Sequence, residues 1–342
     1  MTESFLPFSL LKNCHLMTIV PALWPRQMPK SEAGEKRLFR VAADTQILGH
    51  HHFHPDNKTA KTLIIVHGLE GSADSSYLLG LCHKAMQAGM NVIRLNLRNC
   101  GNTLQLTPTL YNAGLSGDII AVARELRDVD GVTSIFTAGY SLGGNIVLKA
   151  AAELGEKGPA LFAGVCAISP SLDLPTSVKA LERGFNRLYE TTFLFSLKAK
   201  IRAKHALFPQ LYDIDKISEI TKIRDFDDRY SCHDAGYGSA AEYYEKASAL
   251  PMMPGVRVPT LIIAAQDDPI VPFHSFQSEL LRSQYIRILA PEHGGHAGFM
   301  GSAFEGTGMM RDRYWAENRV IDFCAALPGS EGAPPASLPP HL

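Results

Sequence analysis

The chain has 342 residues, enough for one large α/β domain with an insertion or for two modest domains. With 46% hydrophobic residues, 20% charged residues and a formal net charge of -1, it has the composition of an ordinary globule. It carries no overall field to attract nucleic acid or anionic membrane. The six cysteines (Cys14, Cys82, Cys100, Cys166, Cys232 and Cys324) form no C-x-x-C pair, which points to free thiols in a reducing compartment. The stretch MTESFLPFSLLKNCHLMT has neither the basic start nor the apolar core of a secretory signal. No run of about 18 apolar residues reads as a membrane span, so a cytoplasmic location is the expectation.

In chain order, RLFRV (37–41) and ILGHHHF (47–53) read as antiparallel strands near a sheet edge. TLIIVHG (62–68) is the short β-branched run that a buried parallel strand requires. SSYLLGLCHKAMQAG (75–89) reads as a helix closed by Gly89. MNVIRLNLR (90–98) is a strand, SGDIIAVARELRDV (116–129) a helix, TSIFTAGY (133–140) a strand, GGNIVLKAAAEL (143–154) a helix and LFAGVCAIS (161–169) a strand. That alternation predicts an α/β fold with a mostly parallel sheet and helices on both faces. From 173 to 249 the rhythm gives way to helical segments, read as a cap inserted into one domain spanning 1–342. VPTLIIAA (258–265) resumes it, followed by a helix around SFQSELLRS (275–283), a strand YIRILA (285–290) and a helix over DRYWAENRVIDFCAAL (312–327). The Pro-rich end, 328–342, is expected to be disordered.

Gly139-Tyr140-Ser141-Leu142-Gly143 is a G-x-S-x-G segment set between a strand and a helix. A nucleophile elbow needs that context, because the turn is sharp and lifts the serine hydroxyl clear of the sheet. The N-terminus of the following helix favours negative charge developing at the same spot. A serine hydroxyl needs a base within reach. The loop after YIRILA supplies His296 as the preferred candidate and His293 as the alternative. After VPTLIIAA, Asp268 is preferred as the carboxylate that orients the base, with Asp267 as the alternative. The order Ser, Asp, His is the one an α/β-hydrolase uses. Backbone N–H groups of Leu142 and, in His67-Gly68-Leu69-Glu70-Gly71, of Leu69 are the candidate oxyanion donors. His67 itself reads as a structural histidine shaping that loop.

These segments resemble the YheT-like family of α/β-hydrolase fold esterases. The resemblance runs from about Phe8 to Ala325 and rests on NCHLMT (13–18), HGLEGS (67–72), NLRNCG (96–101), GYSLGGN (139–145), FDDRY (226–230), AEYYEKAS (241–248), AAQDDPIVP (264–272) and HGGHAGF (293–299). It implies carboxylesterase or lipase-like activity, with phospholipid hydrolysis or acyl transfer in some relatives, and supports Ser141, Asp268 and His296 in their roles. Met17 stands where the family usually has Gln, and Asn112 where many members have His, departures expected to alter the pocket lining.

The cluster His50, His51, His52 and His54 invites a metal, but neighbours on a strand point to opposite faces and no third ligand has zinc-like spacing. Cys232-His233-Asp234 is set aside likewise. Neither metal nor cofactor is expected. Residues 183–205 mix basic and aromatic positions. They read as a cap helix laying Phe185, Leu188, Tyr189 and Phe193 over an acyl pocket, compatible with transient membrane-surface contact. The expected activity is hydrolysis of small acyl esters, lipid-derived ones included. Acyl transfer to an alcohol and a non-catalytic binding role remain as alternatives.

Overall fold

A computed structural model describes residues 5–26, 34–53, 60–305 and 312–328. His54 and, apart from Pro328, the expected disordered tail lie outside the described residues. The first helix, α1 (Cys14–Leu23), starts where the Asn13 side chain accepts from the N–H groups of His15 and Leu16. Strands β1 (Glu35–Ala42) and β2 (Thr45–His52) form the expected antiparallel pair. Then β3 (Thr62–Val66), α2 (Ser76–Gln87), β4 (Asn91–Leu95), α3 (Ser116–Asp128), β5 (Ile135–Tyr140), α4 (Leu142–Leu154) and β6 (Gly164–Ile168) alternate.

Among the described residues, eight strands build the main sheet in the order β1-β2-β4-β3-β5-β6-β7-β8, with β7 at Thr260–Ile263 and β8 at Ile286–Leu289. From β4 onward every pairing is parallel, and β2 joins β4 antiparallel. The five central strands β3 to β7 are buried along their whole length because helices cover both faces. Alternation sorts their side chains: Leu63 and Ile65 pack with Leu78, Leu81 and Phe323, while Ile64 and Val66 pack with Val122 and Ile146. The edge strand β1 is studded with Glu35, Lys36, Arg37 and Arg40, charges that discourage further pairing.

Between β6 and β7 the described chain is helical and contains no strand: α5 (Leu174–Leu181), α6 (Asn186–Leu207), α7 (Ile223–Phe226), a π-helical turn Asp227–Ser231, α8 (Cys232–Asp234) and α9 (Ala240–Ala247). The buried Asn145 fastens this block to the sheet layer. Its amide donates to the carbonyls of Ala113 and Ala247, and its oxygen accepts from the Ala249 N–H at 2.8 Å.

Two expectations differ from the fold. SFQSELLRS forms two short 3-10 turns, Phe273–Gln277 and Glu279–Leu281, broken by the extended backbone of Ser278. Residues 312–314 are a strand, β10, paired with β9 (Met300–Glu305), and α10 starts only at Trp315 and ends at Ala326. NCHLMT opens α1, an element its family likeness alone did not describe. None of the six cysteines is in a disulfide, and no described helix is long and apolar enough to cross a membrane.

Candidate active site

Ser141 sits between β5 and α4 with φ +52° and ψ -117°, a backbone conformation that costs a non-glycine residue of order 1–3 kcal/mol. Its neighbours hold it there. The Ser141 N–H donates to the Ile168 carbonyl at 2.9 Å, and its carbonyl accepts from Asn145 and Ser171. The approach of α4 to β3 needs glycine at 143, since a Cβ there would lie 2.6 Å from the Val66 carbonyl oxygen and closer still to that of His67. The Ser141 hydroxyl is 3.4 Å from that of Ser171, a residue the sequence reading missed.

His296 lies on the loop after β8. Its Nδ1 is 2.9 Å from Asp268 Oδ2 and 3.1 Å from Oδ1. Asp268 is nearly inaccessible, and its Oδ1 also accepts from the N–H groups of Ile270 (2.8 Å) and Val271 (2.9 Å). With Nδ1–H donating to this carboxylate, the Nε2 lone pair of His296 is left available. His293 pairs instead with Asp267 at 3.1 Å, and Asp267 also accepts from the Gly295 N–H. The two candidate bases thus sort onto the two candidate acids. His293 lines neither cavity described below, whereas His296 lines both.

The His296 loop is anchored from α1. Thr18 Oγ1 accepts from the His296 N–H at 2.8 Å while donating to the Cys14 carbonyl. A Cβ on Gly298 would collide with the Met17 carbonyl, so only glycine allows this approach. Met17 is therefore buried beneath the loop and lines no cavity, contrary to the expectation that it alters the pocket; Asn112 does line one.

On the other side, His67 is buried and neutral, its pKa lowered to about 4 by burial. Its Nε2 accepts from the Leu97 N–H, so Nδ1 carries the proton toward the Gly68 carbonyl at 2.7 Å, the loop-shaping role expected of it. The Gly68 N–H donates to the Tyr77 hydroxyl. Glu70, at φ +55°, donates its N–H to Tyr111 and receives the Tyr111 hydroxyl, Ser196 and Lys200 on its carboxylate. This polar cluster, also missed in the sequence, ties the loop carrying Leu69 to α6. Among the described residues the Leu69 N–H has no hydrogen-bond acceptor, and Leu142, as the first residue of α4, has none within the helix.

Two lobes meet at Ser141 and His296, and both also touch Leu69, Phe193 and Ile270. The wide lobe, about 480 Å³, runs between α1 and α6 past Ile19, Leu23, Leu188 and Tyr189. The narrow one, about 90 Å³, reaches under α5 and the π-helical turn to Leu174, Leu181, Asp227 and Tyr244. Phe185 lines neither; it packs on the His15 ring at 4.3 Å. Among the described residues no group of three or more His, Cys, Asp or Glu side chains could hold a metal. His52 takes a hydrogen bond from Arg94 Nε at 3.3 Å.

Residues 61–302 match the sequence model of the alpha/beta hydrolase fold. The chain belongs to that family. This α/β-hydrolase is 32% identical over 324 residues to the provisionally assigned esterase YheT of Escherichia coli (strain K12), covering 94% of this chain and 93% of that protein. It is 26% identical over 250 residues to phospholipase ABHD3 of Mus musculus, covering 72% of this chain and 60% of that one. Its fold matches an esterase structure from Pyrococcus furiosus with TM-score 0.59 and 15% identity, covering 96% of this chain and 99% of that one. The family and its YheT-like branch make the protein a hydrolase of the esterase class.

Two predictions follow from the buried charges of this α/β-hydrolase. Lys200→Met leaves Glu70 without its cation and should lower the unfolding free energy in urea by about 3 kcal/mol. Asp227 has its pKa raised to about 6, chiefly by burial, against the lowering hydrogen bonds from Ser231 and Tyr244. Its contribution to stability is therefore full below the unfolded value near 3.8 and is lost as pH rises through about 6. Asp227→Asn should accordingly gain stability relative to the parent, by up to about 3 kcal/mol, between pH 4 and pH 7 in matched urea titrations.

Proposed function

We propose that the protein is a serine carboxylic-ester hydrolase in which Ser141 is the nucleophile, His296 the general base and Asp268 the carboxylate that orients and stabilises the imidazole. The observation that carries this reading is that His296, paired with the buried Asp268, lines the same two lobes as the strained Ser141. As Ser141 Oγ attacks the ester carbonyl carbon, its proton passes to His296 Nε2, and the N–H groups of Leu69 and Leu142 receive the oxyanion. The tetrahedral intermediate collapses, the C–O bond to the alcohol breaks, and the alcohol leaves with the His296 proton. Water then attacks the acyl-enzyme with His296 again as base, releasing the acid and restoring Ser141. General base catalysis contributes roughly 10²–10⁴-fold, and each oxyanion donor roughly 10²–10³-fold.

The helical block over residues 173–249 acts as a cap. The wide lobe takes the longer apolar chain of the ester and the narrow lobe its smaller half, which suits a lipid-derived substrate met at a membrane surface. Leu23 and Leu188, both on the wide lobe, are 76% and 54% exposed, so the lobe is open at this end.

Turnover of p-nitrophenyl esters from short to long acyl chains tests the assignment. Ser141→Ala should abolish activity, Asp268→Asn should reduce kcat about 10³–10⁴-fold, and the preferred acyl chain should be medium to long. Activity that persists in Ser141→Ala would overturn the serine mechanism.

A further inference from the structure

The mouth of the wide lobe opens on a rim formed by α1 and the outer face of α6. Leu23 and Leu188 line the lobe and still reach solvent, and Leu16, Trp24, Phe185 and Phe195 continue the apolar surface around them. Phe195 is 79% exposed. On α6 and the residue before it, positions 185, 188 and 195 follow spacings of three and seven and share one stripe. The buried Glu190, Leu194, Leu197 and Ile201 occupy the opposite side. The helix is amphipathic in a double sense: one face closes the site, and the other offers an apolar stripe to whatever lies outside.

The charges on this rim all have one sign. Residues 5–26 contain no Asp or Glu, and Lys12 is exposed there. Between 183 and 207 the only carboxylate is Glu190, which is buried and accepts the Ile223 N–H. Arg183, Arg187 and Arg202 are exposed around the stripe. In a chain of net charge -1, this is a local concentration of cations with no exposed acid on either helix. A second copy of the chain is a poor occupant, because a two-fold contact would set these cations against themselves. Anionic headgroups over an apolar interior match both features at once, the arginines meeting phosphate and the stripe entering the acyl boundary.

We propose that the rim of α1 and α6 docks on an anionic lipid surface, placing the mouth of the wide lobe against the layer from which an ester would enter. What is delivered rests on the ester-hydrolase reading above; the docking itself requires no turnover.

The test is flotation with vesicles of phosphatidylcholine alone and of phosphatidylcholine with about 30% phosphatidylglycerol. The native protein is compared with Trp24→Ser/Phe195→Ser and with Arg187→Glu/Arg202→Glu. None of these four residues lines either lobe, so turnover of a short soluble ester and fluorophosphonate labelling should match the native protein in both variants. The native protein should float with the anionic vesicles and far less with neutral ones. Each variant should lose binding about tenfold or more, and salt should weaken the native interaction. Flotation by a protein whose serine fails to label would uphold docking and sink the hydrolase reading instead. The proposal is overturned if a labelling-competent native protein does not float with anionic vesicles, if the variants float equally well, or if these substitutions instead dissolve a dimer.

Discussion

Ser141 is held at φ +52° between the central strand β5 and helix α4, and that strained turn constrains much of what surrounds it. The strain is stable only because the neighbours over-determine the backbone: a hydrogen bond to Ile168 and others from Ser171 and Asn145 close on one residue, while Gly143 lets α4 approach the end of β3. Five strands buried on both faces supply the rigid platform for that tension. The serine hydroxyl consequently stands at the C-terminal edge of the sheet, where the loops after β3, β7 and β8 also end.

Each loop that reaches Ser141 is then fixed by a different device. The loop after β3 is shaped from within by neutral His67 and from above by Glu70, whose carboxylate gathers Tyr111, Ser196 and Lys200. The loop after β7 presents Asp268 with its own backbone N–H groups as donors. The loop after β8 carries His296 and is pinned by Thr18 of α1, while the parallel pair His293–Asp267 holds its outer side. The site is therefore built by distant parts of the chain, with α1 below the histidine loop and α6 above the wide lobe. In the proposed reaction, these supports are what keep the base and the oxyanion donors in register with the nucleophile.

The sheet was readable in the sequence because buried parallel strands are short apolar runs rich in β-branched residues, a signal that TLIIV and TLII carry without a charge and NVIRL carries despite Arg94. Ser141, Asp268 and His296 stand out in the sequence because each follows its strand in the order the fold uses, and the structure brings His296 and Asp268 into contact. What escaped depends on tertiary contacts. SFQSELLRS has apolar positions at helical spacing, yet Ser278 is extended and the segment breaks into two turns, a case of context overriding weak propensity. MGSAF (300–304) lacks β-branched residues and forms β9 through tertiary pairing, with β10 on one side and a bridge to Pro7. Asn13 is a helix cap, but Pro21 near the end of α1 masks the helical signal. Nothing local to Glu70 or Lys200 announces that residues 130 positions apart meet in one buried pair.

The central claim is that Ser141 is the one activated nucleophile of this protein, made reactive by His296 and Asp268. Treating the native chain with a fluorophosphonate and mapping the modified peptide by mass spectrometry tests it most directly. The account predicts a single adduct on Ser141, formed quickly in the native protein and at a much reduced rate in His296→Ala. An adduct on another residue, or a native protein that stays unmodified, would contradict it.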